Sequence, residues 1–393
     1  MGSLDEFATA KLGELERGSL RRALVDTTRV TGIWTLRNGR RLLSFCCNDY
    51  LNLTHHPAVK EAAIEALRIY GVGAGASRFV TGNHPLFAAL EARLARLKET
   101  EAATIFGSGY LANLGIVPAL VGADDVVLID ELAHACLWAG ARLSRAAVVP
   151  YRHADVRHVE ALLAELRRRH RRALIATDGV FSMDGYLAQL DRICDLAERH
   201  DALVMVDDSH AVGFVGENGR GTHELKGVLD RVDILTGTLG KAIGGASGGY
   251  ISARREIVEL LRQRARPYLF SNSLAPPVAG ASLRALELIE SSHDLRDRLR
   301  ENTAHFRSRM TELGFDVLPG EHPIVPVMVG DEVAAARLSA KLVELGVYAV
   351  SFSFPVVPRG TARIRTQMSA AHTLEDLDFA VDRFAEARSA VAV

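Results

Sequence analysis

The chain has 393 residues, of which 48% are apolar and 24% are charged, and its formal net charge is −1. This length predicts one large domain with a smaller one, and the near-neutral charge gives no general attraction for nucleic acid or an anionic membrane surface. No apolar run is long enough for a membrane span, and the N-terminus lacks the apolar core of a secretory signal, so we expect a soluble, cytoplasmic protein. The four cysteines include no Cys-x-x-Cys pair, and we expect them to be reduced thiols.

The first 45 residues predict an N-terminal arm, of a kind that often wraps over a partner subunit. An amphipathic helix with Leu4, Phe7, Leu12 and Leu15 on one face comes first, followed by a hairpin over 34–45 that turns at Asn38-Gly39. Helices are then predicted over 57–70 and 85–98, with a glycine-rich turn at 71–78 between them.

From residue 102 the pattern changes to short apolar runs that alternate with helical segments. The predicted strands are 102–106, 126–129, 147–151, 173–177, 202–206, 232–235 and 249–252. Buried strands of this kind indicate an α/β fold with a mostly parallel seven-stranded sheet and helices on both faces. Ligands of such sheets lie beyond the carboxyl ends of the strands, so we assign 46–277 to a large cofactor-binding domain.

The C-terminal third predicts a smaller α+β domain. Residues 278–312 have the pattern of one or two long connecting helices, and strands near 324–328 and 348–354 flank a helix over 332–345. The last helix starts at Thr373, with Asp376 as its capping-box partner. We therefore treat 278–393 as a helical connection followed by a small domain.

One lysine stands in unusual surroundings. Lys241 follows an apolar run and is flanked by small or apolar residues in the stretch 236–250, whereas nearly every other lysine has the pattern of a surface charge. Such surroundings depress the pKa of an ammonium group, and the neutral amine forms Schiff bases with carbonyls such as the aldehyde of pyridoxal phosphate. Thr236 and Thr238 offer hydroxyls to a phosphate.

A second stretch, 204–210, supplies the partner that this cofactor needs. Asp207 ends a predicted strand, and its carboxylate can keep a pyridine nitrogen protonated, which makes the ring a strong electron sink. His210 can hydrogen-bond the ring's phenolic oxygen, and Asp208 can be a simple turn cap. Taken alone each residue has an ordinary structural explanation; together with Lys241 they favour a cofactor site.

Two further segments have open interpretations. Gly109 and Tyr110 open a helix after a strand, where free amide groups bind phosphate, although a plain strand-to-helix turn gives the same pattern. His134, near the start of the next helix, can stack on a cofactor ring or be structural. His134 and Cys136 lack companions for a metal site, and the glycines at 216, 219 and 221 do not open an apolar helix, which excludes a dinucleotide fingerprint.

The order of four motifs resembles the α-oxoamine synthases, which are fold-type I pyridoxal-phosphate enzymes that join an amino acid to an acyl-CoA thioester. The motifs are Thr177–Gly185, Asp207–His210, Thr236–Lys241 and Arg363–Arg365. The resemblance covers nearly the whole chain. It implies a homodimer whose active sites lie between the two subunits.

The resemblance also implies a role for each candidate residue. Lys241 would carry the cofactor and remove the substrate α-proton, and Asp207 would pair with the pyridine nitrogen. His210 and Ser182 would hold the side of the ring that carries the phenolic oxygen, and His134 would stack on the ring. The phosphate would be bound by Gly109, Tyr110, Thr238 and the other subunit's Ser273. Arg365, with Asn48 beside it, would bind the substrate carboxylate.

Within that family the chain is mixed. Residues 173–276 and 355–373 resemble glycine C-acetyltransferase (2-amino-3-ketobutyrate CoA ligase), whereas 40–150 resemble 8-amino-7-oxononanoate synthase. The first resemblance implies glycine and acetyl-CoA as substrates, which we expect to be the leading pair, with 2-amino-3-oxobutanoate and CoA as products. The alternatives are alanine and a pimeloyl thioester, which the second resemblance implies, or the substrates of another α-oxoamine synthase. Asn52 stands where the family usually has glycine, which leaves the local backbone open.

Two other classes share parts of this pattern. A cofactor-binding regulator would need a DNA-binding module, and the first 45 residues are too short for a convincing one. An aminotransferase would keep the same lysine and aspartate, and a half-reaction with a keto acid would distinguish it.

Overall fold

The structure, a computed structural model, describes residues 3–17, 21 and 24–391, and of Thr31 it describes only the backbone. The parts of the predicted N-terminal arm at 1–2, 18–20 and 22–23 lie outside the described residues. The first helix, α1 (Leu4–Arg17), is present as predicted. Within the described part of the chain, no helix combines the length and apolar character needed to cross a membrane.

A seven-stranded sheet forms the centre of the molecule and confirms the predicted α/β fold. Its order is β4-β10-β9-β8-β7-β5-β6, and every neighbouring pair is parallel except those of β10, which is antiparallel to β4 and β9. The strands are β4 (Ala102–Phe106), β5 (Val126–Asp130), β6 (Ala147–Tyr151), β7 (Ala173–Asp178), β8 (Leu203–Asp207), β9 (Ile234–Thr238) and β10 (Gly249–Ala253).

The strand β9 differs from the sequence prediction. We expected it over 232–235, but it begins at Ile234 and continues to Thr238. Its last residues are not apolar, and they are extended because Gly237 and Thr238 pair with Tyr250 and Gly249 of β10. This extension carries the strand up to the residues that precede Lys241.

Helices cover the sheet and lead into the C-terminal part. The helices predicted over 57–70 and 85–98 are confirmed, and 278–312 is two helices rather than one. The bounds are α2 (Pro57–Tyr70), α3 (Pro85–Lys98), α4 (Gly109–Leu120), α5 (Ala135–Leu143), α6 (Val156–Leu166), α7 (Leu190–Arg199), α8 (Thr222–Leu225), α9 (Arg255–Arg264), α10 (Arg266–Leu269), α11 (Pro276–Ser291), α12 (Asp294–Glu312), α13 (Glu332–Glu344) and α14 (Leu374–Val391).

Two smaller sheets join the ends of the chain. One has the order β1-β2-β3-β12 and the other β11-β14-β13. The predicted hairpin is confirmed as β2 and β3, whereas the predicted strand 348–354 is divided between the two sheets. The bounds are β1 (Thr27–Thr31), β2 (Trp34–Arg37), β3 (Arg40–Ser44), β11 (Ile324–Gly330), β12 (Val347–Tyr348), β13 (Val350–Phe352) and β14 (Ala362–Gln367).

Two local predictions about loops and caps have clear outcomes. Asn52 adopts a left-handed backbone with φ 56°, which explains why glycine suits this position. Asparagine tolerates this conformation better than most side chains. The capping box of α14 is confirmed, because Thr373 Oγ1 accepts from the Asp376 amide at 3.1 Å while Asp376 Oδ2 accepts from the Thr373 amide at 3.0 Å.

One apolar core connects the N-terminal hairpin, the helices α11 and α12, and the C-terminal sheet. Leu43, Tyr50, Leu286, Phe306 and Ile364 are all buried members of it. This core crosses both boundaries of the predicted division into 1–45, 46–277 and 278–393, which stays a prediction. It also fixes β14 beside the carboxyl edge of the large sheet.

Candidate active site

Loops that follow the parallel strands enclose a cavity of about 250 Å³ at the carboxyl edge of the large sheet. This is the edge at which ligands of such sheets bind. Apart from Asn48, Thr236, Ser273 and Arg365, every predicted site residue lines it. The lining residues are Ser108, Gly109, Tyr110, His134, Cys136, Asp178, Val180, Ser182, Asp207, Ser209, His210, Thr238 and Lys241.

Lys241 is the basic group of this cavity. Burial lowers the pKa of its amine to about 8, although the carboxylates of Asp207 and Asp178 act in the opposite direction. Removal from water disfavours the ammonium form, and here that effect exceeds the attraction to the two acids. The depressed pKa that the sequence predicted is confirmed.

Asp207 is held rigidly at the end of β8. Its Oδ2 accepts a hydrogen bond from Asn113 Nδ2 at 2.6 Å, and its Oδ1 accepts one from the Ser209 amide at 3.0 Å. The side chain is buried apart from its exposure to the cavity. These donors orient an acceptor toward the cavity, where a protonated ring nitrogen can donate to it.

Asp208 has the structural role that the sequence suggested. It forms a fully buried ion pair with Lys98, with Nζ and Oδ2 2.7 Å apart, and its Oδ1 accepts from Thr222 Oγ1 at 2.5 Å. Burial by itself would raise the pKa of Asp208, but Lys98 and the hydrogen bonds lower it. Lys98 is therefore an exception to the expected surface position of the other lysines.

A chain of hydrogen bonds orients His210 and selects its tautomer, and burial keeps its ring neutral. Gln367 Nε2 donates to Tyr50 Oη at 2.9 Å, and Tyr50 Oη lies 2.8 Å from His210 Nδ1. Since burial, followed by the charge of Lys241, lowers the pKa of His210 well below its usual value, the ring is neutral. Because Gln367 already donates to Tyr50 Oη, we assign the Tyr50 hydroxyl proton to His210 Nδ1, which places the ring hydrogen on Nε2.

Arg365 lies at the edge of the cavity and joins the same network. Its Nη1 donates to the carbonyl oxygen of Ser182 at 2.8 Å, and its Nη2 donates to Gln367 Oε1 at 3.0 Å. Gln367 Nε2 also donates to Asn48 Oδ1 at 2.7 Å. Arg365 and Asn48, which the sequence predicted as substrate ligands, are thus bridged by Gln367.

His134 is anchored by its backbone and by the start of α5. Its amide donates to Asp178 Oδ2 at 2.9 Å, and its Nδ1 accepts from the Cys136 amide at 3.3 Å. Burial lowers the pKa of His134, whereas burial and the Asp207 charge raise the pKa of Asp178 well above its usual range. A neutral imidazole therefore forms one wall of the cavity.

The start of α4 forms the opposite end of the cavity. Ser108 caps the helix by accepting from the Leu111 amide at 3.2 Å. A Cβ on Gly109 would lie 3.3 Å from Thr238 Cβ and 3.4 Å from the Gly237 carbonyl oxygen, so glycine lets the helix approach β9. The first amides of a helix lack intrahelical partners and can bind a phosphate.

The two predicted threonines differ in position. Thr238 lines the cavity, where its hydroxyl donates to the Gly248 carbonyl at 3.0 Å and accepts from the Gly240 amide at 3.0 Å. Thr236 is fully buried and lies outside the lining residues. Its expected offer of a hydroxyl to a phosphate is wrong, because Thr236 lies two residues before the end of β9, inside the sheet, and is not exposed to the cavity.

This set of groups fits pyridoxal phosphate. The helix N-terminus suits its phosphate, Asp207 suits its pyridine nitrogen, His210 Nε2–H suits its phenolic oxygen, and Lys241 suits its aldehyde. Among residues 3–17, 21 and 24–391, no group of three or more His, Cys, Asp or Glu side chains is arranged to hold a metal ion. The four cysteines are free thiols.

Comparison with known proteins identifies the family. The model of the family described as aminotransferase class I and II matches residues 40–384. The chain belongs to this family. Two curated relatives are α-oxoamine synthases. The 8-amino-7-oxononanoate synthase of Beijerinckia indica is 50% identical over 377 residues, which are 96% of each chain. The 2-amino-3-ketobutyrate coenzyme A ligase of Salmonella typhimurium is 51% identical over 351 residues, which are 89% of this chain and 88% of that one.

Solved structures agree with this assignment. Serine palmitoyltransferase from S. paucimobilis, with bound PLP–myriocin aldimine, is 29% identical, with a TM-score of 0.94 and 100% coverage of both chains. The chain is accordingly a pyridoxal-phosphate-dependent acyltransferase of the α-oxoamine synthase class. The predicted family, fold and cofactor are confirmed.

In this α-oxoamine synthase, the predicted phosphate ligand Ser273 lies outside the cavity of its own subunit. Its Oγ donates to the Ala76 carbonyl at 3.3 Å, beside the glycine-rich turn. Gly82 packs there as well, and a Cβ on it would lie 2.0 Å from the same carbonyl oxygen. The contact of Ser273 with the cofactor phosphate of a second subunit stays a prediction.

Sequence reasoning assigned no role to Tyr50, Gln367 and Asn113. Asn113 had a detectable signal, because it is the sole amide side chain in the otherwise apolar helix α4 and such a group needs a partner when buried. Tyr50 and Gln367 had no such signal, since their importance arises from His210, which is distant from both in sequence.

Proposed function

We propose that the chain condenses glycine with acetyl-CoA to give 2-amino-3-oxobutanoate and CoA. The observation that carries the choice of glycine is the lining of the cavity. Ser182, His210 and Lys241, which would surround the substrate α-carbon, lie in the segment 173–276 that resembles glycine C-acetyltransferase. The similarity to the Salmonella 2-amino-3-ketobutyrate coenzyme A ligase supports the same choice.

Bound pyridoxal phosphate supplies an aldehyde that condenses with amines and a ring that withdraws electrons from the substrate α-carbon. In the proposed reaction Lys241 Nζ takes the α-proton, because an amine with a pKa of about 8 is neutral near physiological pH far more often than an ordinary lysine. Arg365 binds the substrate carboxylate, with Asn48 beside it. A new bond joins the glycine α-carbon to the acetyl carbonyl carbon, and the CoA thiol leaves.

The other site residues have positioning or binding roles in this proposal. Asp207 would accept a hydrogen bond from the protonated pyridine nitrogen and so keep it protonated, and His210 and Ser182 would hold the phenolic oxygen side. The ring of His134 packs on the cofactor. Gly109, Tyr110, Thr238 and, from a second subunit, Ser273 bind the phosphate.

The acyl donor has an adjoining space. A second cavity of about 640 Å³ shares Tyr110 and Ser182 with the cofactor cavity, and Arg142 and Arg363 also line it. Guanidinium groups suit the phosphates of CoA. We infer that the acyl-CoA approaches here, and that residues 71–83 and the N-terminal arm of the partner subunit contribute to the acyl pocket.

The proposal includes a cytoplasmic homodimer. The position of Ser273 beside the glycine-rich turn, outside the cofactor cavity of its own subunit, supports assembly around a two-fold axis. Sedimentation of an active protein as a monomer would contradict it.

A second candidate is 8-amino-7-oxononanoate synthase, which would use alanine and a pimeloyl thioester. The 50% identity to the Beijerinckia enzyme over 96% of both chains favours it. Apolar pockets discriminate chain length by only about 1–3 kcal/mol per methylene, so some activity with longer acyl groups is expected even if acetyl-CoA is preferred.

A substrate matrix tests the proposal. Glycine, alanine and serine are combined with acetyl-, succinyl-, pimeloyl- and palmitoyl-CoA, CoA release is followed, and the products are identified. We expect the highest kcat/KM for glycine with acetyl-CoA. A preference for alanine with pimeloyl-CoA would favour the second candidate, and serine with palmitoyl-CoA would reject both.

A further inference from the structure

A separate cavity of about 340 Å³ lies behind the active site, between α12 and the loops around residues 214–217 and 321–323. None of its lining residues lines the cofactor cavity. Its walls are largely apolar and include Leu187, Phe214 and Leu299. The volume is within the range of about 300–1,000 Å³ that is typical of small-molecule sites.

One buried cation lines this apolar space. Arg296 is 2% exposed, and its side chain makes one hydrogen bond, from Nη1 to the Ile289 carbonyl at 2.6 Å. Its Nε is buried without a partner, and within the described part of the chain it forms no ion pair. A buried guanidinium without a carboxylate is costly, so an anion in the cavity would stabilise it.

The mouth of the cavity limits which anion can enter. Glu217 and Glu321 lie there and are exposed, and Arg300 is held by Asp297 at 2.9 Å and by the Gly216 carbonyl at 2.8 Å. Exposed carboxylates repel multiply charged anions such as nucleotides. A single carboxylate on an apolar chain satisfies both the buried cation and the apolar walls.

The cavity wall is in contact with the His210 network. His322 lines the cavity, and its Nε2 donates to the His210 carbonyl at 2.8 Å while its Nδ1 accepts from the Ile324 amide at 3.0 Å. Phe214 packs on Tyr50 with ring centroids 4.6 Å apart. A ligand that moves either side chain therefore alters the support of His210.

We propose that this cavity binds a small amphipathic monocarboxylate, with the carboxylate on Arg296, and that its occupancy regulates the active site through His322 and Phe214. The ligand's carboxylate accepts from the part of the Arg296 guanidinium that lines the cavity. Its apolar part lies against Leu187 and Leu299. The site is independent of which acyl donor the enzyme uses.

Calorimetric titration of the holoenzyme tests binding, with octanoate as the probe and 1-octanol and octylamine as controls of equal chain length. We expect one octanoate per chain, bound at least about tenfold more tightly than 1-octanol because the hydrogen bonds are charge-assisted. Equal affinity for octanoate and 1-octanol, or no binding of octanoate at millimolar concentration, would overturn the proposal.

Matched variants locate the site. Arg296→Met keeps most of the volume and should abolish the preference for octanoate over 1-octanol, whereas Arg309→Met on the same helix, outside the cavity, should retain it. Leu225→Trp, at a position on the cavity lining that is 43% exposed, should weaken octanoate binding by at least about tenfold without affecting folding. If Arg296→Met does not fold, the Leu225→Trp variant by itself tests where octanoate binds. Unchanged octanoate affinity in Leu225→Trp would place the binding elsewhere.

The regulatory role has its own readout. The visible absorbance of the bound cofactor reports on the surroundings of His210, so it should change with octanoate concentration and saturate at the calorimetric Kd. Arg296→Met should remove this response. Binding without any change in absorbance or in kcat/KM would reject regulation through His322 and Phe214.

Discussion

At the scale of single residues, two side chains of the cofactor cavity owe their chemistry to burial. Lys241 loses hydration, which lowers the pKa of its amine to about 8, and His210 is kept neutral for the same reason. The acids nearby oppose the effect on Lys241 without reversing it. The site therefore offers a base that is partly neutral and a hydrogen-bond donor that is neutral at ordinary pH.

The titration of Lys241 predicts how the apoprotein captures its cofactor. The neutral amine is the reactive form, so the rate of pyridoxal phosphate capture should rise with pH and level off above a midpoint of about 8. Stopped-flow absorbance of the apoprotein mixed with the cofactor measures it. Lys241→Ala should remove the covalent product, with the exposed Lys60→Ala as control; a midpoint near that of a free lysine would contradict the prediction.

The Tyr50 hydroxyl predicts a second effect. Tyr50→Phe removes the donor to His210 Nδ1, so the ring can adopt the other tautomer and its Nε2–H is no longer fixed. We expect kcat to fall about tenfold, corresponding to roughly 1.4 kcal/mol, with little change in the KM for glycine.

The matched control is Tyr348→Phe, at a tyrosine outside the cavity, which should keep full activity. Nitrogen NMR of the imidazole distinguishes the tautomers directly. A Tyr50→Phe protein with unchanged kcat and an unchanged tautomer would show that the hydrogen bond has no positioning role.

At the scale of secondary-structure elements, the end of α3 is joined to the loop after β8 by the buried pair Lys98–Asp208. Both side chains are fully buried, and Lys98 Nζ also donates to the Arg220 carbonyl. The pair keeps Asp208 directed away from the cavity, and its neighbour Asp207 faces the cavity. An internal ion pair thus positions the strand end that carries the cofactor's acid.

The buried pair Lys98–Asp208 predicts that losing one partner costs more stability than losing both. Asp208→Asn leaves the Lys98 charge buried and unpaired, so the free energy of unfolding should fall by about 3–5 kcal/mol. Adding Lys98→Met should restore part of the loss. Urea unfolding of the apoprotein measures both, and Lys341→Met, which breaks the exposed pair with Glu344, should change stability by less than about 1 kcal/mol.

At the scale of the whole molecule, several buried neutral histidines connect the C-terminal part to the rest of the chain. Burial lowers the pKa of His322 to about 3 and that of His372 to about 4. His372 stacks on Phe45, with ring centroids 4.7 Å apart, and His322 bonds to the His210 backbone. Protonation of these rings is therefore linked to unfolding.

The linkage predicts acid sensitivity. Above pH 6.5 His372 is neutral in both states and its titration contributes nothing further. Between pH 6.5 and about 4 the unfolded chain binds a proton that the folded chain does not, so stability falls by up to about 1.4 kcal/mol per pH unit for this residue.

Urea unfolding at pH 7.5, 6.0, 5.0 and 4.5 checks this slope. His372→Gln should be less stable at pH 7.5 through lost packing, but its stability should fall less steeply with acid. Parallel curves for the two proteins would show that His372 does not titrate in this window.

The sequence by itself determined the elements with strong local patterns and most of the cofactor cavity. The helices 57–70 and 85–98 and the capping box at Thr373 follow from residues that are neighbours along the chain. The residues lining the cavity were predictable because parallel strands bring their carboxyl ends to one edge, so residues that follow different strands must meet.

Only the tertiary structure decided the features that depend on distant partners. The strand β9 reaches Thr238 because β10 pairs with it, and β14 is extended because it lies between β11 and β13. Tyr50 is 160 residues from His210 and 317 from Gln367, and Lys98 is 110 from Asp208. Their hydrogen bonds form only after the sheets have assembled, so no local pattern encodes them.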